Sequence, residues 1–544
     1  MEALALLHQE DESTSSGSRS SDESSSYAFD TYNEKGFIPG SHTFSHSLNF
    51  SRFIPSFRPR IRLARYSTFS LPPRYARLWL MLCNFLRILL PSFIPISRGY
   101  HPPTPARELH PTAWLDGLRG TAALLVVFHH TSHAWFSDRI KAGYGSGEDG
   151  LNVYLIQIPI IRLLISGAPQ VAIFFVVSGY AISYKPLKLM HGGRPKELLD
   201  SLSASVFRRH TRLFLPATVV MFVCGIMRWM DWYGVDPSRA PPHAKSLSDQ
   251  IYNWAAESMK LAHPFNIPDR YIPSYDQNLW TLPIEFRNSM YLYGTLLALS
   301  RLRSNMRLLF TSGIVMFCCY KAHWDIMLFI SGMLLADLHI HRSAPPEKQI
   351  LSPRCNCNCD HGQHASKSSS SLNTLTATLQ TYRRYIWTVC FTISLFLLSM
   401  PEVGRGAGTS PGYATLTKYI PNYYISIGRP DHFWAPLGAM FLVFSTDNER
   451  SLQRIFETRF AQYMGKISFS MYMVHGPLLY TLGEHMLHRT VAYFGQETST
   501  QYGWAAVSAF MVLFPTIIWV GDLVWRFVDT KAVRFGRWIS DQII

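Results

Sequence analysis

Apolar stretches of near-bilayer length follow one another from about residue 115 to residue 526, each broken by a polar loop. A hydrocarbon core of about 30 Å needs roughly 17 to 25 residues of helix. Ten stretches approach that length: 115–136, 158–184, 211–231, 279–300, 304–320, 322–339, 384–400, 432–446 (the shortest), 466–485 and 504–526. The pattern predicts an all-α, polytopic membrane protein with about ten transmembrane helices. Upstream the pattern changes. Gln9 to Ser26 is rich in Ser, Asp and Glu and cannot bury enough apolar surface to order itself. Residues 51–77 are basic, and 78–96 are apolar but interrupted by Arg87 and Pro91, which predicts a helix lying on anionic headgroups rather than crossing them. The expected organisation is a disordered, then basic, cytosolic segment over 1–77, an interfacial helix and proline-rich hinge over 78–110, a transmembrane domain over 111–530 with a long cytosolic loop at 342–383, and a cytosolic tail over 531–544.

Lys and Arg collect in alternate loops. The loop after the second stretch holds Lys185, Lys188, Arg194, Lys196, Arg208, Arg209 and Arg212, and the short loop after the fourth holds Arg301 and Arg303. The intervening loops are poorer: Arg139 and Lys141 after the first, Lys321 after the fifth, Arg489 after the ninth. Short cytoplasmic loops retain positive charge, so both termini are expected in the cytosol; an endomembrane is the expected location. This distribution accounts for the net charge of +15 without a nucleic-acid partner. Only 16% of residues are charged and 47% are hydrophobic, against about 25% charged in ordinary soluble chains. A disordered or fibrous protein is excluded.

The eight cysteines suggest no disulfide framework. Cys355, Cys357 and Cys359, with His361 and His364, are metal-ligand types, but their spacing is not that of a zinc site, and no metal is expected. Met1 to Leu7 is too short an apolar run for a signal peptide. The sequon Asn49-Phe50-Ser51 is expected to stay unmodified in a cytosolic terminus.

An ionisable side chain in hydrocarbon costs at least a few kcal/mol and so marks a site. The first stretch, WLDGLRGTAALLVVFHHTSHAW, carries Asp116, Arg119, His129, His130 and His133. Arg119 and His130 are spaced within about 20° of three full helical turns, so both project from one face, about 16.5 Å apart along the axis. A cation at the cytosolic mouth can hold phosphates while an imidazole near mid-bilayer meets the far end of an extended ligand. Acyl-coenzyme A has that form, and imidazole can take a hydroxyl proton or attack a thioester. Counted by helical rise, Glu285 in NLWTLPIEFRNSMY and His475 in GKISFSMYMVHGP reach a similar depth from opposite sides. His130, Glu285 and His475 are therefore the candidate catalytic groups. Arg209 and Arg212, at the cytosolic start of the third stretch, are candidates to share donor phosphates with Arg119, because guanidinium forks match phosphate oxygens. Each has a structural alternative: a satisfied core histidine for His130, a pair with Arg287 for Glu285, a capped histidine before Gly476-Pro477 for His475, and ordinary loop charge for the arginines.

Five segments in order, LDGLRG followed by HH, FFVVSGY at Phe174 to Tyr180, RHTR at Arg209 to Arg212, WTLPIE and ISFSMYMVHGP, resemble the acyltransferase-3 family of integral-membrane O-acyltransferases. The resemblance covers about Trp114 to Val528. The spacing of Arg119 and His130 looks like the family's arginine, ten residues, histidine signature, and Arg209 and Arg212 match its RxxR. It implies transfer of an acyl group, most often acetyl, from acyl-coenzyme A (acetyl-coenzyme A) to a hydroxyl, with no permanently bound cofactor. The serine-rich start and long loops look like fungal members, several of which acylate terpenoids or polyketides. The lack of the soluble C-terminal domain carried by some polysaccharide-modifying members favours a small acceptor. The expected partners are acyl-CoA, a hydroxylated small molecule and the lipid bilayer. A glycan O-acetyltransferase and a multi-pass transporter are the alternatives.

Overall fold

A computed structural model of the chain describes residues 109–136, 138–147, 152–233, 239–263, 271–343 and 369–543, together with Trp79, Met81 and 89–92. The expected disordered and basic segment 1–77, most of the interfacial helix, the Asn49 sequon and the Cys355 to His364 cluster lie outside the described residues.

All regular secondary structure in the described residues is helical. The long helices are α1 (Ala113–Trp135), α2 (Ala168–His191), α3 (Pro195–Trp229), α4 (Leu247–Ala262), α5 (Thr281–Ala298), α6 (Ser304–Tyr320), α7 (Trp324–Ser343), α8 (Ser369–Leu398) and α9 (Trp434–Asn448). Then come α10 (Arg459–Leu478), which runs through a π turn, Leu479–Gly483, into α11 (Glu484–Phe494), and α12 (Ser499–Val524), which runs through Trp525–Asp529 into α13 (Thr530–Ile543). Each apolar stretch read from the sequence falls at least in large part on these helices. Three meet the length and composition needed to cross a membrane: α3, α7 and the continuous Ser499–Ile543. Others fall short because they are brief, like α6 with 17 residues, or because polar side chains dilute the run, as in α1. Leu309, Phe310 and Met316 of α6, Val389 of α8 and Val507 and Met511 of α12 are exposed. Apolar surface of that extent belongs against lipid or a partner rather than water.

The start of the second stretch departs from the pattern. The second stretch was expected at 158–184, but α2 begins only at Ala168. Pro159, Gly167 and Pro169 interrupt the run, and the preceding residues form 3-10 turns at Leu155–Gln157 and Ile161–Ile165. Buried Arg162 anchors them by donating to the carbonyls of Ser399 (3.0 Å) and Lys141 (2.8 Å). The third stretch, 211–231, lies almost wholly within α3, which starts at Pro195 and runs 35 residues, because proline in the first turn and Glu197 suit a helix N-terminus. Hydropathy also passes over α4, whose start is fixed by the Ser246 hydroxyl accepting from the Asp249 amide.

Two helix pairs pack backbone to backbone. A Cβ built on Gly120 of α1 would overlap the Gly465 amide of α10 and lie 2.6 Å from the Met464 carbonyl carbon and 2.8 Å from the Ala461 oxygen. One built on Gly332 of α7 would lie 2.5 Å from the Tyr180 amide of α2. Small residues are what allow such approach. A buried charge cluster ties α2, α6 and α7 together: the Arg307 fork donates Nε and Nη2 to the two oxygens of Asp337, each at 2.7 Å, and the His191 imidazole lies 2.7 Å from the same carboxylate.

Candidate active site

The Gly120–Gly465 crossing sets the register of α1 on α10, and the polar groups follow from it. Arg119 donates Nε to the Ser468 hydroxyl (3.1 Å) and Nη2 to the Gly465 carbonyl (3.2 Å), and pairs with Asp116 at 3.1 Å. Three turns along α1, the His130 ring meets His475 of α10, with centroids 5.0 Å apart and planes inclined by 46°. Arg119 and His130 therefore face the same neighbouring helix, as their spacing predicts.

His475 is 1% exposed. Its Nδ1 lies 2.5 Å from the Tyr472 carbonyl, which can only accept, so Nδ1 carries the proton and Nε2 presents a lone pair. That Nε2 is buried and has no hydrogen-bond partner among the described residues. His130 is half-buried and also touches the His129 ring, 4.9 Å between centroids. His129 in turn donates Nδ1 to the Ile165 carbonyl at 2.7 Å and stacks on His133 at 6.1 Å, so it braces the turn before α2. His133 contacts Lys141. Although these imidazoles neighbour one another, no group of three or more His, Cys, Asp or Glu among the described residues is arranged to hold a metal ion.

The brace gives a testable consequence. A Cβ on Gly167 would overlap the His129 ring, 2.6 Å from Nε2 and 2.9 Å from Cγ. Gly167→Ala must therefore displace the His129 ring, which packs against His130. A small misplacement of a reacting group costs up to about 100-fold in rate, so kcat for acyl transfer should fall roughly 10- to 100-fold while the thermal midpoint moves little. Gly503→Ala, whose Cβ meets nothing within 4 Å, should leave both unchanged.

Glu285 hydrogen-bonds an arginine and a serine rather than an imidazole. Its Oε1 accepts from Arg209 Nη2 at 2.7 Å and from Ser178 at 3.2 Å, and Arg209 Nε donates to Ser289 at 3.0 Å. Arg287 pairs instead with Asp325 at 2.5 Å. The reason lies in the turn before α5. A Cβ on Gly476 would overlap the Asn278 amide nitrogen and sit 3.0 Å from Asp276 Oδ1, so Asp276 and Asn278 reach the level of His475 rather than the outer boundary. Thr281, at the start of α5, shares a 2.7 Å hydrogen bond with the Tyr472 hydroxyl, and Glu285 lies one turn further along, toward the arginine end of α3. Arg212, half-buried, accompanies Arg208 and Arg209 around Tyr293. Arg119 thus faces α10 and Arg209 faces α5. The carboxylate beside Gly476, the residue next to His475, is Asp276, which sequence reading missed. An Asp two residues before an Asn reads as a turn cap, and only the approach of Gly476 brings it to the site.

A helical, apolar-surfaced protein in which imidazoles of two helices meet, in line with an arginine, fits a membrane-embedded enzyme. The chain belongs to the acyltransferase-3 family, whose acyltransferase domain it matches over residues 112–526, and it is an acyltransferase. It is 37% identical over 481 residues to O-acetyltransferase PaAT-1 of Phomopsis amygdali, covering 85% of this chain and 90% of that protein. It is 23% identical over 478 residues to acyltransferase R4 of Phoma sp. (strain ATCC 20986 / MF5453), covering 79% and 96%. Acyltransferase clz18 of Cochliobolus lunatus is 22% identical over 465 residues, 77% of this chain and 94% of its own. No solved structure matches the chain.

Proposed function

We propose that the protein is an endomembrane O-acetyltransferase, spanning the bilayer ten times with both termini cytosolic, that moves an acetyl group from acetyl-CoA to a hydroxyl of a small secondary metabolite such as a terpenoid or polyketide. The observation that carries this reading is the partnerless, buried Nε2 of His475, whose ring packs against that of His130. In the reaction the acceptor's O–H proton passes to that nitrogen, the oxygen bonds to the thioester carbonyl as the C–S bond breaks, and the imidazolium returns the proton to the leaving thiolate. His130 is the second acid–base group, or the transient acyl carrier in a two-step route. Arg119 binds donor phosphate at the cytosolic end of α1; its partner Asp116 is 35% exposed, so a phosphate can take its place. Arg209 and Arg212 supply further positive charge, with Glu285 positioning Arg209. Acetyl as the transferred group is supported by the O-acetyltransferase with 37% identity, and a small acceptor by the fungal relatives.

Purified protein in nanodiscs, given [14C]acetyl-CoA and hydroxylated terpenoids, should form labelled ester with saturation in acetyl-CoA. Arg119→Ala should raise KM for acetyl-CoA roughly tenfold with a smaller change in kcat, as expected for contacts made equally in ground and transition states. Passage of unmodified solute across vesicles with no ester formed would overturn the reading in favour of transport.

A further inference from the structure

Beside the imidazole pair, two further elements bring buried polar atoms toward the His475 end of α10. Asp276 caps the 3-10 turn Gln277–Trp280: its Oδ1 accepts from the Asn278 amide and from Asn278 Nδ2, both at 3.0 Å. Its Oδ2 is buried and has no partner among the described residues, and the residue is 6% exposed. Tyr233, just past the end of α3, is 3% exposed, and its hydroxyl is hydrogen-bonded to the Cys224 thiol and to no oxygen or nitrogen among the described residues. It lies beside the Cys224 thiol and close enough to Asp276 for the two side chains to interact electrostatically. The turn is seated against α3, since a Cβ on Gly225 would come 3.0 Å from the Tyr275 ring, and against α10 through Gly476. The third atom is Nε2 of His475.

Buried polar groups in native proteins are satisfied almost without exception, and leaving one unmade costs as much as a hydrogen bond is worth. Two such atoms, beside a tyrosine hydroxyl bonded only to a thiol, describe a ligand site. His475 Nε2 can only accept, Asp276 Oδ2 as a carboxylate can only accept, and the Tyr233 hydroxyl can donate or accept. One hydroxyl of a ligand donating to Nε2, and a second donating to Asp276 while accepting from Tyr233, satisfies all three. We propose that Asp276 and Tyr233 form the acceptor-recognition site, and that the acceptor is a diol or polyol whose second hydroxyl binds them while the first is acylated at His475. The site lies at the C-terminal ends of α3 and α10, opposite the end where Arg119 meets Gly465, so donor and acceptor approach the imidazoles from different directions. This inference rests on the acetyltransferase reading and narrows its substrate class.

The test uses the full chain in nanodiscs with [14C]acetyl-CoA and three probes: 1-decanol, 1,2-decanediol and 1,3-decanediol. A site built to bind a hydroxyl rejects the analogue lacking it by large factors, so kcat/KM for at least one diol should exceed that for the mono-alcohol roughly tenfold or more. Asp276→Asn keeps an oxygen to accept from the Asn278 amide, and Tyr233→Phe removes a single hydroxyl, so both are conservative. Each should bring the diol-to-alcohol ratio to about one, a ratio that cancels any general loss of folded enzyme. A wild-type ratio near one overturns the proposal. A high ratio that survives both substitutions does so too, because the unpartnered atoms then merely hold water. Complete failure to consume acetyl-CoA overturns the underlying acetyltransferase reading, whereas consumption without diol preference removes only this inference.

Discussion

His475→Ala and His130→Ala should each lower kcat for acyl transfer by roughly 100- to 10,000-fold, the range for removing a positioned general base. The double variant should lose little more than the worse single one, because groups that act as a unit are not additive. The two histidines differ in what else their loss would do. His475 is 1% exposed and bonded to the Tyr472 carbonyl, so its alanine variant leaves a cavity and an unmade backbone bond, each destabilising. His475→Gln keeps a side chain that can donate but cannot take up a proton, and separates chemistry from packing. It should be as inactive as His475→Ala with a thermal midpoint nearer the wild type. His130 is half-buried and held by ring contacts, so its removal should cost activity with little change in stability. Were the pair structural, activity would track the folded fraction across all four variants, and His475→Gln would retain most of its rate.

How much of this was visible in the sequence depends on whether a feature is local. Helices followed from apolar runs of the right length, and the shared face of Arg119 and His130 followed from helical periodicity alone, a property of one element. The start of α2 was misjudged because hydropathy counts Ile158 to Ile165 as span, while Pro159, Gly167 and Pro169 break the helix there and the Arg162 hydrogen bonds reward the broken form. Glu285 was placed beside the imidazoles on the assumption that Asn278 marks a membrane boundary. Depth counted along one helix holds only if its end is where hydropathy puts it, and the turn carrying Asp276 and Asn278 dips inward to meet Gly476. The ion pair of Glu285 with Arg209 joins residues far apart in sequence, and neither run of letters announces it. Gly120 and Gly465 could not be singled out either, since a glycine matters for close packing only once its partner across the interface is known.

That crossing carries the other large effect. Gly120→Val and Gly465→Val should each abolish accumulation of monodisperse protein, measured by detergent size-exclusion yield and thermal unfolding. Inserting methylenes into a packed core typically costs about 1–3 kcal/mol, when side chains can shift to make room. Here the obstructing atoms are backbone: the Gly465 amide, the Met464 carbonyl carbon and the Ala461 oxygen facing Gly120, and the Asp116 carbonyl facing Gly465. They cannot rotate away, so α1 and α10 must separate along their whole contact. Gly313→Val, where a Cβ meets nothing within 4 Å, should be tolerated and controls for the helix propensity of valine. The informative case is Gly120→Ala, the smallest wedge. Because Arg119 binds α10 through Gly465 and Ser468 and His130 meets His475 on the same helix, moving the helices apart loosens both ends of the site at once. Gly120→Ala protein that still folds should show a raised KM for acetyl-CoA together with a lowered kcat, although every candidate catalytic side chain is intact. Wild-type kinetics in that variant would mean that the two helices do not align the donor arginine with the imidazole pair, and the mechanism built on their register would fail with it.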